Sequence, residues 1–151
     1  MSAADDVLRI IDDAFGPCEK PRHFTNYTHC EECAEHDALL RSRSRTTLTF
    51  EDIANPGWNP LCFSSAEGIF YFMPTLVRMA IDPGREGRGW EGDVLLFHLW
   101  TGGSTNSLLA AASMEQRSAI ASLLTYFIET AITDDDLDTD HLLQAHSHWS
   151  S

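Results

Sequence analysis

Apolar residues recur at intervals of three and four along three long segments of the chain, which is the spacing of one face of an α-helix. The first segment predicts a helix over residues 5–15 that ends before Gly16 and Pro17. The other two predict long helices over residues 65–82 and 113–132. Because these two are apolar on almost every turn, we expect them to form the centre of the fold.

Polar residues at the starts of two segments are typical of helix caps. Ser113 is followed three residues later by Gln116, a pattern in which each side chain binds a backbone N–H of the first turn. Thr28 and Glu31 repeat the pattern, so a further helix is expected to begin at Thr28. It should end among the arginines at positions 41, 43 and 45, because cations suit a helix C-terminus. We interpret these arginines as solvated cations rather than as an anion site.

Three shorter features complete the predicted secondary structure. Pro74 lies inside the second long segment and removes a backbone donor, so we expect a kink between Phe70 and Pro74. Residues 93–100 form a continuous apolar run, and a buried helix is preferred there because the chain offers no partner strand. Short helices are also expected over residues 49–53 and 142–148.

These patterns predict an all-α fold, with one domain of five or six helices around a Pro-kinked central helix. An apolar fraction of 43% over 151 residues is enough to form one core. Residues 133–151 begin with a run of aspartates, and we expect them to form an acidic, loosely packed C-terminal tail. His98, inside the apolar run, is interpreted as a hydrogen-bonded core histidine.

The charge of the chain restricts its partners. A formal net charge of −13 disfavours nucleic acid and anionic membranes, which carry the same sign. The preferred interpretation is that the excess charge keeps the protein soluble, and the alternative is a negative face that docks a basic protein partner. The acidic N-terminus lacks the pattern of a secretory leader, and no apolar run is long enough to span a bilayer. We therefore expect a cytoplasmic location, where cysteines remain free thiols or bind metal.

The segment from Thr28 to His36 contains the residues best suited to chemistry. Cys30 and Cys33 lie one helical turn apart, which allows both thiols to bind one zinc ion. A regular helix cannot bring His36 to the same ion, because that residue lies too far along the axis. His29 can join only if the helix begins after it. The candidate metal ligands are therefore Cys30, Cys33 and His29; failing His29, loop residues Cys18, His23 or Cys62 would be needed.

Two other interpretations of the cysteine pair stay open. If Thr28 caps the helix, Cys30 lies in the first turn, where the helix dipole lowers a thiol pKa and favours redox chemistry, although nearby glutamates oppose this. Alternatively, the pair belongs to the hydrophobic interior, because cysteine behaves as a small apolar residue. We prefer this packing interpretation. The stripe it requires consists of His29, Cys33, His36 and Leu40.

Three stretches resemble, in their order and spacing, a family of small, mostly bacterial proteins of unknown function. They are the Cys-Glu-Glu-Cys segment 30–33, the apolar segment 65–74 with its proline, and the Glu-Gln-Arg segment within residues 113–120. The resemblance implies a shared fold and lends no activity.

No catalytic constellation is apparent in the sequence, so we predict a non-catalytic module that recognises another protein. The kinked helix or the segments around Trp58 and Trp90 would form its contact face. The alternative is a zinc-binding or thiol-redox protein that uses Cys30 and Cys33. No cofactor is expected, and zinc is the alternative.

Overall fold

The computed structural model describes residues 3–53, 59–81, 91–130 and 139–151. Within these ranges the chain forms eight α-helices and no strand, which confirms the predicted all-α fold. Two 3₁₀ turns, Pro60–Phe63 and Gly103–Thr105, precede α4 and α6. The helices are α1 (Ala3–Phe15), α2 (Glu31–Arg41), α3 (Phe50–Ile53), α4 (Ala66–Ile81), α5 (Glu91–Trp100), α6 (Ser107–Ala111), α7 (Met114–Thr130) and α8 (Thr139–Trp149).

The longer helices pack around one hydrophobic core. Helix α4 lies against α1 and α5, α7 packs against α1, and α8 contacts both α7 and α5. Buried residues occur on every turn of α4 from Gly68 to Ala80, as expected for a helix that is apolar on all sides. A single cluster of buried apolar side chains connects these helices, and its members include Phe15, Phe72, Met73, Ile120 and Leu123.

Helix α7 begins with the predicted capping box. The Ser113 Oγ accepts a hydrogen bond from the Gln116 N–H at 3.1 Å, and the Gln116 Oε1 accepts one from the Ser113 N–H at 2.9 Å. Ser65 plays the same part at α4, where its Oγ accepts from the Gly68 N–H at 3.2 Å. Both caps lie at the predicted starts of the helices over residues 65–82 and 113–132, so local sequence was enough to predict where these helices begin.

The predicted start of α2 at Thr28 is wrong. The Thr28 hydroxyl donates to the Asn26 side chain at 3.0 Å instead of capping a helix, a local bond that competes with helix formation. The His29 N–H also donates to the Asn26 carbonyl, so residues 26–29 form a turn rather than the start of a helix. Cys30 is the N-cap and has extended backbone dihedrals, so helical geometry begins only at Glu31.

Two of the arginines near the end of α2 have specific structural contacts, so their interpretation as solvated cations is wrong. Arg43 forms a two-point ion pair with Asp52, with N–O distances of 2.9 and 3.1 Å. The Arg45 guanidinium lies 4.7 Å from the centre of the Tyr71 ring and joins the end of α1 to α4. It donates to the carbonyls of Phe15, Gly16, Cys18 and Tyr71.

The C-terminal helix is packed, so the prediction of a loose tail is wrong for residues 139–149. Helix α8 is longer than the expected 142–148, and Leu142, Ala145 and Trp149 are each at most 1% exposed. Their spacing of three and four places them on one face. The Trp149 Nε1–H also donates to the Leu99 carbonyl at 2.9 Å. The aspartates within 134–138 lie outside the described residues.

The expected helices over 49–53 and 93–100 are confirmed as α3 and α5. Helix α6 was not predicted; Asn106 caps it by accepting from the Leu109 N–H at 2.9 Å. Pro74 lies within α4, and a kink there stays a prediction.

Trp58 and Trp90, proposed from sequence as parts of a contact face, lie outside the described residues. Over the parts of the chain that the structure does describe, none of the helices combines the length and apolar character needed to cross a bilayer.

Candidate functional site

Three potential metal ligands meet at the N-terminus of α2. A ring nitrogen of His29 and the sulfurs of Cys30 and Cys33 all lie within 4.8 Å of one another. The two sulfurs are 3.2 Å apart, and the Cys33 Sγ lies 3.7 Å from the His29 Nδ1. All three candidate ligands named from sequence are thus brought together. Among the described residues, no fourth histidine, cysteine or carboxylate belongs to this cluster.

His29 reaches the thiols because α2 begins after it. The turn that starts at Asn26 and ends at His29 keeps the imidazole outside the helix. The spacing restrictions of a regular helix therefore do not apply to it. This is the one condition under which the sequence allowed His29 to join Cys30 and Cys33.

Cys30 occupies the N-cap position, where oxygen-bearing side chains are usual. Its sulfur accepts a hydrogen bond from the backbone N–H of Cys33 at 3.3 Å. This bond, followed by the bonds from the Cys33 thiol and from His29, lowers the pKa of the Cys30 thiol. The sequence predicted this effect with Cys30 two positions after the cap, in the first turn of the helix. At the N-cap, the pKa of Cys30 is lowered by a direct hydrogen bond from the Cys33 N–H.

The two cysteines differ in exposure and acidity. Cys30 is exposed, whereas Cys33 is 7% exposed. The hydrogen bond between the two sulfurs, then burial, then the charges of Cys30 and Glu32, raise the pKa of Cys33. The pKa of the Cys30 thiol is therefore the lower of the two, so Cys30 is the thiol that ionises first.

A buried carboxylate holds the segment that precedes the cluster. The Asp37 Oδ1 accepts from the N–H groups of Phe24 and Thr25 at 2.6 and 3.2 Å, and its Oδ2 lies 2.8 Å from the His23 Nδ1. The Thr25 hydroxyl donates to the Cys33 carbonyl at 2.7 Å. These bonds fix residues 23–25 against α2, a short distance along the chain before the first ligand. Sequence reasoning missed this role, because the partners lie in a loop that carries no regular pattern.

Replacing Asp37 with asparagine is expected to lower the free energy of unfolding by about 2 kcal/mol, because charge-assisted bonds to a buried group are lost. Burial alone would raise the pKa of Asp37, but the bonds from His23, Phe24 and Thr25 outweigh it and lower the pKa. The native state therefore favours the carboxylate. The contribution of Asp37 to the free energy of unfolding is present above the ordinary aspartate pKa. It is lost as the pH falls through the lower pKa of the folded state.

Urea unfolding of the D37N variant at neutral pH, followed by circular dichroism, measures this effect. Glu35→Gln provides the matched control, because that carboxylate lies exposed on the same helix and should change stability by less than ~0.5 kcal/mol. Equal stabilities for the two variants would show that Asp37 does not hold the loop.

His36 is a packing residue rather than a ligand. It is 0% exposed, its ring stacks on Phe63 with centroids 4.6 Å apart, and its Nε2 lies 3.3 Å from a Glu32 oxygen. Cys33, His36 and Leu40 are all buried, as the packing interpretation predicted. Cys30 is exposed, so the interpretation that both sulfurs belong to the hydrophobic interior is wrong for Cys30. His29 is exposed, so its place in that stripe is wrong.

Comparison with known proteins found no matching protein family, no similar curated protein and no similar solved structure. The resemblance of segments 30–33, 65–74 and 113–120 to a family of small bacterial proteins stays a prediction. Because a helical bundle by itself does not define an activity, function must be argued from the cluster.

Proposed function

We propose that this protein binds a soft divalent metal ion, zinc above all, through His29, Cys30 and Cys33. One observation carries the proposal: three ligand atoms of the types that zinc prefers lie within 4.8 Å of one another. In a tetrahedral site with Zn–S bonds of about 2.3 Å, two sulfurs lie roughly 3.7 Å apart. The two thiols, now 3.2 Å apart, need to separate only slightly to bind the same ion.

The surroundings of the cluster support metal entry and thiolate binding. Cys30 and His29 are exposed, so an ion can reach both without opening the core. The N–H of Cys33 donates to the Cys30 sulfur and stabilises its negative charge. Cys33 must release its proton to bind, so metal uptake should be accompanied by proton release.

Three protein ligands leave one position of a tetrahedral ion for water or for a group from outside. Structural zinc sites are normally closed by four protein ligands, whereas sites with three keep an exchangeable position. Within the described ranges no fourth side chain joins the cluster. None of the three ligands belongs to the cluster of buried apolar residues that connects the helices. We therefore propose an exchangeable or ligand-accepting ion rather than one that the fold requires.

The reduced protein is expected to take up one zinc ion per chain, measured by competition with a chromophoric chelator and by elemental analysis after desalting. Loss of a residue that only supports a ligand typically weakens metal binding about 10–100-fold. Cys33→Ser removes an anionic ligand itself and should therefore weaken zinc binding by at least roughly 100-fold, whereas His29→Asn removes a neutral ligand and should weaken it by at least about 10-fold.

Cys62→Ser provides the matched control, because Cys62 is an exposed cysteine outside the cluster and its loss should leave zinc affinity unchanged. Circular dichroism of each variant checks that the helices remain. Absence of zinc uptake by the reduced protein, or uptake that survives loss of both Cys30 and Cys33, would contradict the proposal.

The predicted role in recognising another protein stays a prediction, as does the exclusion of nucleic acid. The net charge of −13 supports a basic partner. The three clustered ligand types are the more specific observation, so the metal site is the better supported function.

A further inference from the structure

The unequal exposure of the two thiols indicates a second activity, which needs no metal. We infer that Cys30 and Cys33 form a redox-active dithiol that reduces accessible disulfides, with cationic disulfides as the preferred class. Cys30 is the attacking sulfur and Cys33 the resolving sulfur. The inference uses side chains of the proposed metal site, but it does not depend on metal binding.

The short distance between the two sulfurs allows a disulfide bond to form between Cys30 and Cys33. They are 3.2 Å apart, and a disulfide bond measures about 2.05 Å. Side-chain rotation with a small backbone adjustment is therefore enough to form the bond.

The division of roles follows from exposure and hydrogen bonding. A substrate disulfide can reach Cys30, which is exposed, whereas Cys33 is 7% exposed and is shielded from direct attack. The Cys33 N–H points at the Cys30 sulfur and stabilises the thiolate that attacks. His29 Nδ1, 3.7 Å from the Cys33 sulfur, is placed to accept the proton that Cys33 later releases.

The reaction proceeds in two exchanges. The Cys30 thiolate attacks one sulfur of a disulfide R–S–S–R′, forms a mixed disulfide with R–S, and expels R′–S⁻, which takes a proton from solvent. Cys33 then gives its proton to His29 or to water and attacks the Cys30 sulfur. This forms the Cys30–Cys33 disulfide and expels R–S⁻, which is protonated in turn. The substrate gains two electrons and two protons, and the protein dithiol loses the same number.

The charge around the dithiol selects the substrate class. Glu31, Glu32 and Glu35 are exposed on the first turns of α2, next to Cys30, and the whole chain carries a charge of −13. A like-charged disulfide is repelled from this surface and an oppositely charged one is attracted. Cystamine, which is cationic, should therefore react faster than glutathione disulfide, which is anionic.

Single-turnover reduction of each disulfide by the reduced protein, with EDTA present to remove metal, tests the inference. Cystamine should react at least roughly fivefold faster than glutathione disulfide at low ionic strength, and added salt should narrow the difference. Mass spectrometry should show that the product is the intact chain minus two hydrogen atoms, without an adduct. Cys33→Ser should instead accumulate a mixed disulfide at Cys30, and Cys30→Ser should lose most of the rate.

Cys62→Ser should react like the natural chain. A stable adduct at Cys30 of the natural chain, or a rate that survives Cys30→Ser, would overturn the dithiol assignment. Equal rates for the two disulfides would overturn the substrate class. Disulfide exchange is measured with metal removed, and zinc uptake is measured in the separate competition assay. Exchange without zinc uptake would therefore refute only the proposed metal function. Zinc uptake without exchange would refute only this inference.

Discussion

Replacing Trp149 with alanine is expected to lower the free energy of unfolding by about 3–5 kcal/mol, the range found for loss of a buried tryptophan. Trp149 is 1% exposed and lies near the end of α8, which packs against α5 and α7. The substitution leaves a large cavity between these helices. It also removes the Nε1–H that donates to the Leu99 carbonyl, so a buried acceptor loses its partner. Urea unfolding at neutral pH, followed by circular dichroism, measures the change.

Two further variants separate the packing of Trp149 from general effects on α8. Trp149→Phe keeps most of the apolar volume and loses the N–H, so it should cost about 1–2 kcal/mol. Leu143→Ala changes a residue of the same helix that is 52% exposed, and it should cost less than ~0.5 kcal/mol. If the alanine variants at positions 143 and 149 were equally stable, α8 would not contribute to the core.

Lowering the pH from about 6.5 to about 4 is expected to destabilise the fold by about 3 kcal/mol through His98 alone. This side chain is 8% exposed, and burial lowers the pKa of His98 to about 4. In the unfolded chain the imidazole has its ordinary pKa near 6.5 and takes up a proton first. Because the unfolded state binds more protons over this interval, stability falls as the pH falls through it.

Unfolding free energies measured at several pH values across this interval test the effect of His98. His98→Leu keeps an apolar group in the core and should flatten the dependence, whereas His148→Gln, on α8, should keep the slope of the natural chain. The pKa values of Asp37 and Asp52 are lowered, so most of their contribution to stability is lost below the ordinary aspartate pKa of about 3.9, and only the start of that loss falls at the lower end of this window. If the His98→Leu variant showed the same change of unfolding free energy with pH, another group would be the cause of that pH dependence.

Local signals in the sequence were sufficient for most of the helices. The starts of α4 and α7 depend on Ser65 and Ser113, whose hydroxyls bind backbone groups only three residues away. Such bonds form wherever the sequence places the right side chain before an apolar stripe. The start of α2 was misplaced because Thr28 has two local partners available, and the structure shows it bonded to Asn26 rather than to a helix.

The candidate ligands could be identified from the sequence, but their arrangement in space and their exposure could not. Spacing alone identified Cys30 and Cys33, because one helical turn separates them. Membership of His29 depended on where α2 begins, which changed by three residues. The division into an exposed and a buried thiol, and the support from Asp37, depend on a loop that folds back onto the helix.

The sequence by itself determined the all-α architecture, the core faces of the long helices and the identity of the three candidate ligands, because periodicity and short-range spacing encode these features within a few turns. Tertiary structure alone decided that Arg45 joins α1 to α4, that Asp37 anchors residues 23–25, and that Trp149 closes the core. Each of these contacts joins residues 12 to 50 positions apart in the chain. Only the packing of the whole bundle brings such partners together.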